Sequence, residues 1–283
     1  MPHATANPHM LMCPPTFFEV PYAINPWMNP EHPVDAALAQ AQWQHLKSTL
    51  EAIGANVSLV PAVAGWPDLI FTANAALIHP NSPTGQPKAL LARFKHAERQ
   101  GEEPLYQQAL AALGYEVLTL PPHVAQEGAG EALVYQPPQG PALLLAAHGL
   151  RSDWESHRLI GDFMGLPVVS LALVDERFYH LDVACCPTER GDLLIYPPAF
   201  SPESLARLAQ QVPVARWIEV SEAEACQFAC NAVSVNQHLI LSSQHVPRLA
   251  ALLEQRGYTV HLCPMSETMK AGGAAKCCTL RLS

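Results

Sequence analysis

The strongest constraint on how this 283-residue chain folds is a pattern that recurs five times. Each copy is a helix-period stretch, a short turn and a β-branched run. The first is ALAQAQWQHLKSTLEAIG followed by ANVSLVP. Trp43, Leu46, Leu50 and Ile53 fall at three- and four-residue spacing, which puts them on one helix face. Gly54 then stops the helix, as glycine does just past a C-terminus. The later copies are EEPLYQQALAALG with YEVLTLPP, DWESHRLIGDFMG with LPVVSLALV, SPESLARLAQQ with VPVARWIEV, and VPRLAALLEQRG with YTVHLCP. Gly54, Gly114, Gly165 and Gly257 punctuate four of the five.

Pairs of strand-like runs lie between these copies. ALIHP and ALLARF flank NSPTGQPK, EALVYQ and ALLLAAH flank PPQGP, DVACCP and DLLIYP flank TERG, and AVSVN and LILSS flank Gln237–His238. Pro, Gly, Asn and Ser at the breaks are hairpin signals. The chain therefore reads as an α/β protein of five strand–strand–helix–strand units, spaced roughly 45–60 residues apart. Five such units predict a closed ring with an axial site, in one domain over residues 1–283. The competing arrangement is an open parallel sheet, and the hairpins count against it. No GxGxxG follows the first strand and no GxxxxGK[ST] occurs, so phosphate cradles are unsupported.

Composition narrows the partners. Apolar residues make up 49% of the chain and charged residues 14%, with a formal net charge of −9 and only 16 Lys plus Arg. A nucleic-acid or anionic-membrane surface needs a basic face, so neither partner is expected. No apolar run approaches the roughly 20 residues that span a bilayer. The opening MPHATANPHMLMCPP lacks the charged and apolar regions of a secretory leader, so a cytoplasmic location is expected. The eight cysteines show no disulfide framework, no CxxC pair and no HExxH, so no metal and no cofactor is expected. Cys226 and Cys230, one helical turn apart, read as core packing, as do Cys13, Cys185, Cys186 and Cys263. Oligomeric state is not legible, and a homo-oligomer is left open.

Four polar clusters fall where strands should end. They are PDLIFTANAAL with Asp68 and Asn74, AQEGAGEALV with Glu127 and Glu131, FYHLDVACC with His180 and Asp182, and the tail GGAAKCCTL. On a strand, residues two apart share a face, so His180 and Asp182 are expected to point into the same space at the mouth of a buried strand. A thiol with a histidine is a familiar nucleophile pair. Several carboxylates around the thiol would disfavour the thiolate, because like charge raises its pKa. They make sense around a cationic substrate. A guanidinium offers five N–H donors in a planar fork that matches carboxylates, and its charge would favour the thiolate.

At these residues the chain resembles the guanidino-modifying enzymes of the pentein fold. That superfamily includes arginine deiminases, dimethylarginine dimethylaminohydrolases, amidinotransferases and bacterial arginine dihydrolases. The resemblance covers nearly the whole chain and rests on motif order: acidic-Φ-Phe-x-x-Asp/Asn, an EGxG(D/E) turn, HxD, and a GG-x-x-(K/R)-C-x-T tail. It implies a five-bladed α/β propeller. It also implies that Cys277, directly after Lys276, is the nucleophile, and that Cys278 is packing. His180 matches the acid/base. Glu127 matches the carboxylate that pairs with the guanidinium and orients His180. Asp182 matches a second carboxylate on the guanidinium, and Asp68 a substrate-binding acid. The start MLMCPPTFFEVPYAINPWM resembles the arginine dihydrolase branch, in which Asn25 contacts substrate. Arg93 and Arg151 match arginines that hold a substrate carboxylate. Three departures bear on substrate fit: Glu131 where Asp is usual, Gln126 where an aromatic is common, and GGAAK in place of GGGxR.

The implied chemistry is a metal-independent cysteine hydrolase that passes through an amidino-cysteine (thiouronium) intermediate. Asn74 occupies a position that is Asp in typical deiminases. An amide there adds a hydrogen-bond donor, which would let citrulline stay and react again to ornithine, ammonia and carbon dioxide. Arginine dihydrolase is thus the expected activity. Arginine deiminase, dimethylarginine hydrolysis and amidino transfer remain alternatives. A non-catalytic binding protein of the same fold is the alternative from another class, since fold alone does not fix function.

Overall fold

The computed structural model describes residues 7–79 and 85–283. His3 and the first half of the turn expected at NSPTGQPK lie outside the described residues. The strands, in chain order, are β1 (His9–Met12), β2 (Asn56–Leu59), β3 (Ala76–His79), β4 (Lys88–Leu91), β5 (Glu116–Thr119), β6 (Ala132–Tyr135), β7 (Leu143–His148), β8 (Val168–Ala172), β9 (Cys185–Pro187), β10 (Leu193–Ile195), β11 (Trp217–Glu219), β12 (Val233–Val235), β13 (His238–Leu241), β14 (Thr259–Leu262) and β15 (Leu280–Arg281). They form five three-stranded sheets, ordered β15-β1-β2, β3-β4-β5, β6-β7-β8, β9-β10-β11 and β12-β13-β14.

Every sheet has the same build. Its first two strands pair antiparallel and its last two parallel. A parallel neighbour requires a crossover. The crossover helices are Ala36–Ala52, Glu102–Ala112, Ser156–Met164, Pro202–Gln211 and Pro247–Gln255. The five copies read from periodicity are these helices and the strands that follow them.

Local chemistry explains the boundaries. Asp35 caps the first helix by accepting from Leu38 N at 3.0 Å, and Ser201 caps the fourth through Ser204 N. Trp43, Leu46 and Leu50 bury the inner face of the first helix, while Ile53 is half-buried at its end. Truncating Leu46 or Leu50 to Ala would cost about 2–5 kcal/mol each. Gly54 takes φ +94° directly after that helix, a conformation costly for residues with a Cβ. The middle strands β4, β7, β10 and β13 are nearly continuous buried apolar runs, whereas the edge strands β2, β5 and β14 are half-exposed. That difference follows from being covered on both sides or on one.

The polar clusters precede the first strand of a sheet, rather than closing a strand. Asn74 ends a 3₁₀ turn before β3, Gly128–Gly130 form one before β6, and Cys277 lies in the turn before β15. His180 and Asp182 depart from expectation. Leu181–Ala184 is one helical turn with His180 at its N-cap, and the strand begins only at Cys185. The two side chains therefore do not share a strand face; a helical turn sends them to different partners.

Candidate active site

Five of the expected residues, Asn25, Asp68, Asn74, Arg151 and Cys277, line one small pocket. His180, Glu127 and Asp182 are buried beside them. The turns before β3, β6, β9 and β15 thus converge from sequence positions as far apart as residues 68 and 277.

Cys277 is 2% exposed. Its thiol lies 3.5 Å from Asp182 Oδ2 and receives Asn231 Nδ2 at 3.1 Å. Burial, then the Asp182 charge, push the thiol well above its ordinary value. Cys277 therefore rests as a protonated thiol, as the crowding of carboxylates implies. Burial raises Asp182 to about 6, although Lys276, the Cys277 thiol and Asn231 pull it down.

His180 Nε2 meets Glu127 Oε2 at 2.7 Å. Arg151 Nη1 donates to the same oxygen at 3.2 Å, and Lys95 N donates to Glu127 Oε1 at 3.2 Å. Burial alone would raise the Glu127 carboxyl, but Arg151 and His180 outweigh it and hold it well below the usual carboxylate range. Burial lowers His180 to about 4, against the opposing pull of Glu127. The resting pair is a carboxylate and a neutral imidazole. Glu131, one of the departures, stays a neutral acid, because burial and the nearby Glu127 and Asp182 raise it far above its ordinary value.

The remaining residues hold the walls. Asn25 Nδ2 donates to Ala271 O at 3.1 Å, and Tyr22 Oη donates to Asp68 Oδ2 at 3.0 Å, so the segment after β1 is pinned over the cavity. Asp68 Oδ1 is buried without a hydrogen-bond partner among the described residues. Arg151 Nη2 is spent on Ile24 O at 2.8 Å. Arg93 is not among the residues lining the cavity. Its Nη1 lies 4.0 Å from Glu103, while its buried Nε has no partner among the described residues.

Two site residues escape sequence reasoning. Asn231 stands two residues before β12, the equivalent place in the fifth sheet. Its Oδ1 accepts from Ala274 N and Cys277 N, both at 3.1 Å, and so fixes the turn that carries Cys277. The signal was present, since CNAVSV repeats the Asn-Ala-apolar start of ANAALI. Arg99 is 3% exposed and donates from Nη1 to Asn74 Oδ1 at 2.9 Å. No spacing in HAERQGE marks it, because its partners lie 25 residues and more upstream apart from Glu102.

No family model matches the chain. Over 97% of its length it is 43% identical to the bifunctional arginine dihydrolase/ornithine cyclodeaminase ArgZ of Synechocystis sp., of which it spans only 37%. It is 40% identical, over 96% of its length and 84% of the relative, to N(G),N(G)-dimethylarginine dimethylaminohydrolase of Mycobacterium tuberculosis. Among solved structures, the substrate-bound N-terminal domain of ArgZ, a cyanobacterial arginine dihydrolase in a cysteine-to-serine form, superposes with a TM-score of 0.90. The two are 41% identical, and the match covers 98% of each chain. The order of motifs, the buried Cys–His–acid set and these likenesses agree: the chain belongs to the guanidino-modifying superfamily that holds the arginine dihydrolases and dimethylarginine dimethylaminohydrolases.

Proposed function

We propose that this chain is an arginine dihydrolase, converting arginine to ornithine, two ammonia and carbon dioxide through covalent intermediates on Cys277. The observation that carries this reading is an amide, Asn74, in the wall of a pocket that Cys277 and Asp68 also line, with His180, Glu127 and Asp182 buried beside it. In the first stage the Cys277 thiol passes its proton to the neutral His180 imidazole as Sγ bonds to the guanidine carbon. His180 delivers a proton to the departing nitrogen, which leaves as ammonia, and a thiouronium remains. Water then attacks that carbon and gives a proton to His180; the C–S bond breaks and citrulline results. In the second stage the thiol attacks the ureido carbon and a second ammonia leaves. Hydrolysis of the S-carbamoyl group yields a carbamic acid, which breaks down to ornithine and carbon dioxide. Asp182 and Glu127 stabilise positive charge on the bound guanidinium, and that charge in turn favours the thiolate. Asp68, with its unpaired oxygen, suits the substrate's α-ammonium. Arg151 and Arg93 are the candidates for the substrate carboxylate; Arg151 would exchange its Ile24 O partner for it, and Arg93, outside the pocket lining, would reach in with its unpaired Nε. Asn25 positions the covering segment.

Dimethylarginine hydrolysis is the second reading. It is favoured by the likeness to the mycobacterial relative, most of whose length the chain covers. The five sheets are further proposed to be blades of a closed ring. The reading is supported by β15, the last strand, which completes the sheet of β1 and β2. No described helix is long and apolar enough to cross a membrane. All eight cysteines are free, which supports a reducing, cytoplasmic compartment.

The deciding experiment is mass-spectrometric product analysis after incubation with L-arginine. Ornithine with little citrulline supports the proposal. Citrulline alone makes the protein a deiminase. Turnover of dimethylarginine only, releasing dimethylamine, establishes the second reading.

A further inference from the structure

Arg99 has no part in the chemistry described so far, yet it is buried and its guanidinium makes four hydrogen bonds. Its Nε and Nη2 donate to the two Glu102 oxygens at 2.9 and 2.8 Å. Nη2 also donates to Asp68 O at 3.2 Å, and the guanidinium lies 4.4 Å from the centre of the Phe94 ring. Both members of the ion pair are buried. One direction is left, and there Nη1 donates to Asn74 Oδ1 at 2.9 Å.

An arginine carries five N–H donors and no acceptor, and it does not lose its proton in proteins. The Asn74 oxygen must therefore face Arg99, and the Asn74 NH₂ must face the other way. There it donates to Glu127 O at 3.2 Å. It also lies against Gly130: a Cβ on that glycine would sit 2.3 Å from Asn74 Nδ2 and 3.7 Å from Asp182 Oδ2. The NH₂ group is thus turned toward the Glu127 backbone and Gly130, on the side of the site where Asp182 lies. An amide free to rotate would offer its oxygen to a guanidinium. This one is denied that choice.

We infer that Arg99 is a positioning residue that locks the Asn74 amide with its N–H side toward the substrate, so that the site accepts a ureido oxygen as well as a guanidinium. The consequence rests on the dihydrolase reading: the locked donor retains citrulline for the second hydrolysis. The buried Arg99–Glu102 pair is then a specificity device as well as a structural ion pair.

The test replaces the pair together, because removing one partner would strand a buried charge. In Arg99→Gln/Glu102→Gln a neutral amide faces Asn74 and can donate or accept, so the lock is lost. With L-arginine as substrate, the citrulline-to-ornithine ratio is expected to rise about tenfold, the worth of one retained hydrogen bond. Arg99→Lys restores a donor-only partner and is expected to keep ornithine as the main product even if turnover falls. A merely structural role would lower turnover without changing the ratio. An unchanged ratio in the folded double variant, or citrulline as the main product of Arg99→Lys, overturns the inference. The lysine variant also decides the matter if the double variant does not fold. A parallel calorimetric titration in the Cys277→Ser background measures L-citrulline affinity relative to L-arginine without turnover, and the pair substitution is expected to lower that ratio about tenfold. If the parent enzyme releases only citrulline, the two-stage reading fails by itself. The affinity ratio then still decides on Arg99.

Discussion

His180 Nε2 and Glu127 Oε2 lie 2.7 Å apart, both buried, yet the imidazole comes from the turn before β9 and the carboxylate from the turn before β6. Arg151 shares that Glu127 oxygen, so the carboxylate stays charged while burial keeps the imidazole neutral. Removing the charge without changing the shape tests the pair. Glu127→Gln should lower kcat by about 10²–10⁴-fold, the usual worth of an oriented acid/base, and initial rates across pH will show it. The acid side of the stability curve follows from His180. Its folded value of about 4 lies below the ordinary 6.5. Between those values the unfolded chain binds more protons, so stability falls as pH drops from 6.5 toward 4.

Cys277 and Cys278 are adjacent and both buried, but only Cys277 lines the cavity. Cys277→Ser should reduce turnover by at least about 10³-fold while the fold is kept. Cys278→Ser should retain most activity. Rate measurements with circular dichroism on both variants separate nucleophile from packing, and an active Cys277→Ser protein would refute the scheme.

Asp182 is kept in a site that disfavours its charge. Burial raises it from 3.8 to about 6. The folded state holds the extra proton between these values, so the cost of ionisation grows from pH 3.8 and is complete above pH 6. Asp182→Asn should therefore be more stable than the parent at pH 7.5, by about 1–3 kcal/mol. The gain should shrink toward pH 4, and activity should be lost. Denaturant melts at the two pH values check the sign.

Asn74→Asp places a carboxylate where the amide now receives Arg99 Nη1. The donor toward the ureido oxygen disappears and a charge-charge pair with Arg99 replaces it. Product analysis should show citrulline accumulating from arginine, with ornithine reduced about tenfold or more. Continued ornithine production would break the link between the amide and the second stage.

Gly130 contributes by what it lacks. A Cβ there would lie 2.3 Å from Asn74 Nδ2. Gly130→Ala must push the amide aside and should cost about 1–3 kcal/mol of stability. Misplacement of the amide by about 1 Å should lower kcat/KM about 10²-fold. Thermal melts and kinetics on the same sample separate the two effects.

Much of this was written in the chain itself. Helical periodicity and β-branched runs specify the five repeated units, because each unit's burial pattern is local: Trp43, Leu46 and Leu50 share a face whatever packs against them. Motif order singled out Cys277, His180, Glu127 and Asp182, which the fold buries together, and each sits in a turn whose shape depends on its neighbours in sequence. Tertiary structure alone decided the rest. His180 and Asp182 lie on a helical turn rather than a strand, a choice between two short-range options that packing settles. Asn231 gained its role only when β12 and β15 brought it within 3.1 Å of Cys277. Arg99, Glu102 and Asn74 form a network only when separate turns meet in a dry interior, where every buried donor needs an acceptor. A sequence records which groups are present. Which of them exclude water together, and so acquire shifted protonation and fixed orientation, is a property of the folded chain.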